Sequence, residues 1–286
     1  MRVVSLHPDV LVVTSALLHL NCVIVLGAAG RGGGAAEASA SESSVGGRAG
    51  APLEAEAFVI DSPVLPDELD ALPAMLEQAG FPAPSGLLAT HGDWDHLLGR
   101  LAFPSVALGV AQSTAARLVA EPGAAQRELR AFDEEIYVER RHPLALGSVQ
   151  ALPVPGRCGI GGHELELHAA GGHTVDGMAI RITWAKVLVV GDYLSTVEIP
   201  TLTAGGDPDA YLATLARLRP FVQDAEHVVP GHGPVLNRDR ALAVLDEDVA
   251  YLRALCELDV DAALPAGRDN RAQRRLHARN VARQAS

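Results

Sequence analysis

One short loop constrains this chain more than any other part of its sequence. Residues 90–96 read THGDWDH, which places two histidines and two aspartates within six positions. The apolar run at 86–90 just before them is typical of a short buried strand. Imidazole and carboxylate groups are ligands that zinc, manganese and non-haem iron accept. One loop cannot supply every ligand that two such ions need, so the sequence predicts a metal site with further ligands downstream.

Length and charge narrow the class of protein. The chain has 286 residues, 48% of them hydrophobic, which is enough to form one large α/β domain with a substantial core. Its net charge of −12 argues against a protein that grips nucleic acid, because phosphate contacts require a basic surface. We therefore expect a small-molecule substrate and no nucleic-acid partner.

The cysteines and the N-terminal residues indicate the compartment. Cys22, Cys158 and Cys256 are far apart and match no zinc or redox spacing, which favours a reducing environment with free thiols. The apolar runs at 10–13 and 17–18 are separated by polar residues, so we interpret them as strands rather than as a signal peptide. Because no apolar run reaches the roughly 18 residues of a membrane span, we expect a cytoplasmic protein with no membrane contact.

The first half of the chain alternates between strands and helices. Strand-like runs at 10–14 and 21–26 are followed by a tract at about 28–52 that is rich in glycine, alanine and serine. This tract predicts a loop insertion without a core, with a flap over the active site as the alternative. A strand at 57–61, a helix at 67–79 and the strand at 86–90 then form a βαβ unit. Such units place functional loops at the carboxyl ends of their strands.

The second half continues with short elements. We expect helices at 112–119 and 124–135, hairpin-like pieces across 136–154, and strands at 164–168, 178–183, 186–190 and 226–229. Asp207 and Pro208 are typical of a helix start, which predicts a helix through Arg219. A helical C-terminal segment is expected at about 239–286, and its arginine-rich end from Arg268 is interpreted as a solvated face.

Three further polar residues follow predicted strands downstream. His173 lies in a Gly-His-Thr turn, Asp192 in Gly-Asp, and His232 in Pro-Gly-His-Gly. With the loop at 91–96, this order and spacing resemble the metallo-β-lactamase-fold hydrolase superfamily. The signature of that superfamily is His-x-His-x-Asp-His, followed by single His, Asp and His ligands. The resemblance extends over nearly the whole chain, from about Val10.

The resemblance implies one domain over 1–286 with a four-layer αββα sandwich and a dinuclear site for two divalent metal ions at one edge. It implies that His91, Asp93 and His173 hold the first ion, that Asp95, His96 and His232 hold the second, and that Asp192 bridges them. A carboxylate suits the bridging position, because its two oxygens can bind two cations about 3.5 to 4 Å apart.

Asp93 departs from the family signature, since most members have histidine at that position. A carboxylate makes the first site harder and more anionic, so iron and manganese become alternatives to zinc, the expected metal. The flavodiiron reductases of the same superfamily carry a carboxylate there, although this sequence shows no flavin-binding module. The other interpretation is that Asp93 does not bind metal and that the first ion is held weakly.

The resemblance also implies a reaction. We expect hydrolysis by metal-activated water, with Asp95 and Asp192 as catalytic residues, and no motif supports a serine or cysteine nucleophile. Esters, thioesters, lactones, β-lactams and phosphodiesters remain open as substrates, with the 28–52 tract and residues 136–154 as candidate pocket walls. The alternatives are a diiron protein that acts on dioxygen or nitric oxide, and a metal-binding module without catalysis. Tyr193 is expected to be structural, with contact to an oxyanion as the alternative.

Overall fold

The computed structural model of the chain describes residues 1–27, 55–257, 263–265 and 267–284. The tract at about 28–52 lies outside these residues, and so do the predictions made for it. The strands are β1 Arg2–His7, β2 Val10–Thr14, β3 Asn21–Gly27, β4 Glu56–Ile60, β5 Pro84–Leu88, β6 Leu108–Ala111, β7 Val149–Leu152, β8 Gly156–Ile160, β9 His163–Ala169, β10 Met178–Ile182, β11 Val187–Val189, β12 His227–Val229 and β13 Leu236–Asn237. The helices are α1 Pro66–Gln78, α2 Gly99–Ala102, α3 Gln112–Ala120, α4 Ala124–Ile136, α5 Pro208–Asp224, α6 Arg238–Cys256 and α7 Arg271–Gln284.

The strands form two sheets, one from each half of the chain. The first sheet has the order β1-β2-β3-β4-β5-β6-β7, and the second has the order β13-β12-β11-β10-β9-β8. In the first sheet, β1 to β4 are antiparallel, whereas β4 to β7 are parallel. The parallel pairing of β4 with β5 around α1 confirms the predicted βαβ unit.

Three apolar clusters separate four layers. The middle cluster joins the facing sides of the two sheets, with Val12 and Val25 on one side and Leu167 and Ile180 on the other. A second cluster packs helices such as α1 on the outer face of the first sheet, and a third packs α5 and α6 on the outer face of the second sheet. All seven residues of β3 are buried, as expected for a strand covered on both faces. The fold is therefore the predicted αββα sandwich.

The predicted ligand loops meet at one edge of this sandwich. Met178 N donates to Thr90 O at 2.7 Å, and Gly231 N donates to Gly191 O at 2.6 Å. Asn21 N donates to Gly231 O at 2.8 Å, which adds the start of β3 to the same edge. Backbone hydrogen bonds thus connect loops from both halves of the chain before any ligand side chain is considered.

The residues that flank the 28–52 tract lie at the edge of the sandwich opposite the ligand loops. In the antiparallel pair of β3 and β4, Val23 lies opposite Ile60 and Gly27 lies opposite Glu56. Since Ile60 ends β4 next to the ligand loops, Gly27 and Glu56 mark the edge farthest from them. The chain therefore leaves and re-enters the first sheet on the side away from the predicted metal site.

Several elements differ from their sequence predictions. Residues 136–154 were predicted to form hairpin-like pieces, but within them only Val149–Leu152 is a strand, and it pairs in parallel with β6. Helix α5 continues past the predicted end at Arg219 to Asp224 despite Pro220, because the extra turn buries Val222. Strands β1, β8 and β13 were not predicted. Among the described helices, none is both long enough and apolar enough to cross a lipid bilayer.

We predict that replacing residues 30–50 with a short glycine-serine turn leaves the fold and the metal content unchanged. Gly27 and Glu56 are cross-strand neighbours, so a short link can join them. Loop closure depends weakly on length, so the free energy of unfolding should change by about 1 kcal/mol or less. Urea denaturation and elemental analysis check this result, with a glycine-serine tract of the original length as the control. A loss of bound metal in the shortened protein alone would contradict the prediction.

Candidate metal centre

A single carboxylate, Asp192, faces four histidines at the ligand edge. Its Oδ2 lies 3.3 Å from His173 Nε2 and 3.8 Å from His91 Nε2. Its Oδ1 lies 3.1 Å from His96 Nε2 and 3.4 Å from His232 Nε2. Each oxygen therefore belongs to a different pair of imidazoles, which is the arrangement a bridging carboxylate requires.

The side chains divide into two groups that can each hold a metal ion. The first group is His91, His173 and Asp192, and the second group is Asp95, His96 and His232. Within each group the candidate ligand atoms lie within 4.8 Å of one another. Asp95 Oδ2 lies 3.4 Å from His232 Nε2, which places its carboxylate in the second group. These two groups contain six of the seven side chains that were predicted to be ligands. The seventh is Asp93.

Backbone carbonyls fix two of the imidazole rings. His173 Nδ1 lies 2.7 Å from Thr201 O, and His232 Nδ1 lies 2.9 Å from Leu18 O. A carbonyl oxygen can only accept a hydrogen bond, so each Nδ1 donates, and in the neutral ring Nε2 is the atom whose lone pair can bind a cation. Neither contact can be predicted from the sequence, because every residue type has a backbone carbonyl.

Asp61 and Thr90 fix the other two rings. His96 Nδ1 lies 3.0 Å from Asp61 Oδ2, and His91 Nδ1 lies 3.1 Å from Thr90 Oγ1. Asp61 Oδ1 accepts a hydrogen bond from Thr90 N at 2.8 Å, so one carboxylate supports both the ring and the loop. Asp61 was not among the residues that the sequence pattern predicted for the site. It directly follows β4, so the strand-end argument that selected the other residues also applies to it.

Four buried polar atoms that face the centre of the site have no hydrogen-bond partner in the part of the chain that the structure describes. Among the described residues, the buried atoms without a partner include His91 Nε2, His96 Nε2, His173 Nε2 and Asp192 Oδ1. Burying such atoms unpaired is costly, so their convergence indicates a site that fits a cation. Imidazole and carboxylate donors at this point fit a divalent metal ion.

The charges in the site oppose the effect of burial. Burial raises the pKa of Asp192, but the neighbouring histidines outweigh burial and hold that pKa well below its usual range. Burial lowers the pKa of His173, but Asp192 and Asp93 outweigh it and raise the pKa to about 10. The raised pKa values of His96, His173 and His232 favour a proton on each ring, which a metal ion must displace in order to bind.

Asp93 lies beside the first group and also contacts an arginine. Its Oδ2 is 3.6 Å from His173 Nε2 and 3.7 Å from His91 Nε2. Its Oδ1 is 2.8 Å from Arg117 Nη1. The carboxylate therefore faces the first group with one oxygen and the arginine with the other. Nothing in the sequence pattern pointed to Arg117, which lies on α3.

The C-terminal helix supports the loop that orients His173. Asn280 Nδ2 donates to Pro200 O at 2.7 Å, and its Oδ1 accepts from Leu202 N at 3.1 Å. Thr201, whose carbonyl accepts from His173, lies between these two contacts. Gln273 Oε1 accepts from Ile199 N at 2.8 Å and extends the support by one more residue. Helix α7 thus holds the segment Ile199 to Leu202 through side-chain hydrogen bonds.

The prediction that the arginine-rich end is a solvated face is wrong for Arg268. Its side chain is 1% exposed and forms an ion pair with Asp248 at 2.5 Å, which is equally buried. Its guanidinium also donates to Ser195 O and Glu198 O at 3.0 Å each. Multiple acceptors make burial of the cation tolerable, and composition alone cannot show that they are present. Arg271, Arg274, Arg275, Arg279 and Arg283 are exposed as predicted.

Two aromatic residues near the site have structural roles. Tyr193 is buried, and its hydroxyl donates to Ala170 O at 3.1 Å and accepts from His173 N at 3.2 Å. This hydroxyl supports the His173 loop, as expected for a structural residue. Trp94 packs against Phe132 with ring centroids 4.6 Å apart, which anchors the first ligand loop on α4.

Comparison with known families agrees with this site. Residues 53–232 match the family model of the metallo-beta-lactamase superfamily. The chain belongs to the metallo-beta-lactamase superfamily. The matched region contains all seven proposed ligands, from His91 to His232. The superfamily binds divalent metal ions, which fits the donors described above.

Solved structures show the same fold. A metallo-beta-lactamase from Pontibacter korlensis is 20% identical with a TM-score of 0.58, over 86% of this chain and 98% of that chain. A metallo-beta-lactamase family protein from Thermus thermophilus is 19% identical with a TM-score of 0.63, over 98% and 95%. A third protein, solved in a di-iron-bound form, is 19% identical with a TM-score of 0.53, over 82% and 97%. The search of curated proteins found no match.

We predict that Asn280→Ala destabilises the protein and loosens the first metal group. The change leaves Leu202 N and Pro200 O without their partner, at a cost of about 1–3 kcal/mol in the free energy of unfolding. Urea denaturation measures this cost, and chelator competition measures zinc affinity. Arg279→Ala, one position earlier and exposed, is the control and should change neither quantity. Equal stability of the two variants would contradict the supporting role of Asn280.

Proposed function

We propose that this protein is a metal-dependent hydrolase that acts on a small ester, thioester, lactone or related substrate at a dinuclear site. The observation that carries this proposal is the position of Asp192 between two pairs of histidines. Family membership supports it, because the metallo-beta-lactamase superfamily consists mostly of hydrolases. Zinc is the proposed metal, since it accepts both imidazole and carboxylate ligands.

The ligand assignment divides the seven residues between two positions. His91, Asp93 and His173 are proposed for the first ion, and Asp95, His96 and His232 for the second, with Asp192 shared. The distances described above support the assignment. When bound, the ions supply Lewis acidity, which lowers the pKa of a water molecule and stabilises negative charge on the substrate.

The residues of the chain hold the reacting groups in place. Asp192 separates the two positions and balances their charge. Asp95, which lies next to His232, is proposed to accept a hydrogen bond from the attacking water and so to orient it. The imidazoles are held by Leu18 O, Thr201 O, Thr90 and Asp61, so little reorganisation is needed when a substrate binds. A chain with a net charge of −12 favours a substrate other than nucleic acid.

Asp93 favours one alternative function. A carboxylate beside two histidines suits iron, and a structure with the same fold was solved in a di-iron-bound form. The alternative proposal is therefore a diiron protein that binds or reduces dioxygen or nitric oxide. This function requires an electron donor, and the sequence contains no recognisable flavin-binding motif that would supply the electrons.

Metal content separates these proposals. We expect about two zinc ions per chain in protein purified without added metal, by analogy with dinuclear hydrolases. Elemental analysis together with an ultraviolet-visible spectrum measures this. Two irons with a charge-transfer band would make the diiron function the leading one. One ion, with no turnover of esters, thioesters, lactones or phosphodiesters, would indicate a metal-binding module without catalysis.

We predict that Asp192→Asn and Asp95→Asn each lower turnover by more than about 100-fold, which corresponds to ~2.7 kcal/mol of transition-state stabilisation. Each change removes a negative charge that faces the histidines of the site. The measurement is the hydrolysis rate of the best substrate from a screen, with metal content determined in parallel. Asp70→Asn, on the exposed surface of α1, is the control and should retain wild-type turnover. Near-wild-type rates in a metal-loaded Asp192 variant would refute the proposed mechanism.

A further inference from the structure

The carboxylate of Asp93 adds a negative charge where the family signature has a neutral imidazole. Arg117 lies directly against this carboxylate, with Nη1 2.8 Å from Asp93 Oδ1. The arginine side chain is 13% exposed, so water screens this ion pair only in part. A positive charge thus accompanies the additional negative charge at the first metal position.

Arg117 also contacts the other ligand loop of the first position. The same Nη1 lies 2.9 Å from Oδ1 of Asp176, whose side chain is fully buried. Asp176 Oδ2 accepts a hydrogen bond from Gly92 N at 2.9 Å, which leads back to the residue before Asp93. The cluster of Asp93, Arg117 and Asp176 therefore ties the loop of His91 to the loop of His173.

The arginine determines which oxygen of Asp93 is free. Oδ1 pairs with Arg117, whereas Oδ2 faces His91 Nε2 at 3.7 Å and His173 Nε2 at 3.6 Å. Oδ2 is the oxygen within 4 Å of both imidazoles, and Oδ1 is the oxygen held by the arginine. A carboxylate held in this way presents one oxygen to a cation, as an imidazole presents one nitrogen.

We propose that Arg117 is a positioning residue that makes Asp93 a single-oxygen ligand of the first metal ion. Arg117 offsets only part of the added charge, because its Nη1 also pairs with Asp176, and the cluster of Asp93, Arg117 and Asp176 keeps one net negative charge. This inference rests on the metal-binding part of the proposed function and is independent of the reaction that follows. Its consequence is that Asp93 and Arg117 act as a unit, and that changing one alone unbalances the site.

The test is zinc binding to metal-free protein, measured by chelator competition and elemental analysis. The test protein is a double variant. Arg117→Met removes the guanidinium that pairs with Asp93, and Asp176→Asn removes the buried carboxylate that would otherwise be left without its arginine. We expect the affinity for one of the two ions to fall by about 10–100-fold, while the other ion binds as before. Adding Asp93→His to this variant restores a neutral ligand, and we expect affinity to return to within about threefold of wild type.

Two controls separate positioning from a general loss of structure. Arg117→Lys keeps the charge and should retain more affinity for the affected ion than the methionine variant does. Arg127→Met changes an exposed arginine on α4 and should bind both ions like wild type. Thermal denaturation of the metal-free proteins shows whether the variants fold, since a purely structural defect would weaken both ions together.

Three results would overturn the inference. The double variant could bind both zinc ions with wild-type affinity, it could bind both with equally reduced affinity, or the variant with Asp93→His added could bind zinc no more tightly than the double variant. The inference is also overturned if wild-type protein binds an ion only at Asp95, His96 and His232. A wild type that binds two ions and hydrolyses none of the substrates would refute the hydrolase instead. Because binding is measured without substrate, the two failures are distinguishable.

Discussion

The contacts between the half-buried carboxylate of Asp192 and four histidines hold the two halves of the site together. The carboxylate is surrounded by four imidazoles, two facing each oxygen, and these histidines come from both halves of the chain. A charge in this position is tolerable only if opposite charges and fixed donors surround it. The αββα sandwich meets this requirement, because the strand ends of both sheets meet at one edge.

The parts of the chain that orient the ligands extend beyond the region that matches the family model. That region covers residues 53–232, whereas Leu18, which accepts from His232, precedes it, and Asn280, which supports the His173 loop, follows it. These contacts use backbone groups or side chains that bear no mark of metal chemistry. The proposed ligands other than Asp93 follow the family signature, while the contacts that orient them are distributed over the whole chain.

Strand-end reasoning succeeded where a polar residue directly follows an apolar run. It selected His91, Asp192 and His232, and the same argument extends to Asp61, which was missed. It failed for Arg117 and Arg268, because neither follows a predicted strand and each looks like an ordinary surface cation on or near a helix. In the folded protein, Arg117 meets two carboxylates and Arg268 is buried against Asp248.

The family, the alternation of strands and helices, and the residue types available to a metal could be predicted from the sequence, because they depend on local spacing and side-chain chemistry. Three features became visible only in the folded chain: the histidines that each oxygen of Asp192 faces, the contact of Arg117 with Asp93, and the support of the His173 loop by α7. Those contacts join residues that are far apart in the chain. Their charges and hydrogen bonds become definite only when packing brings the two sheets and their helices together.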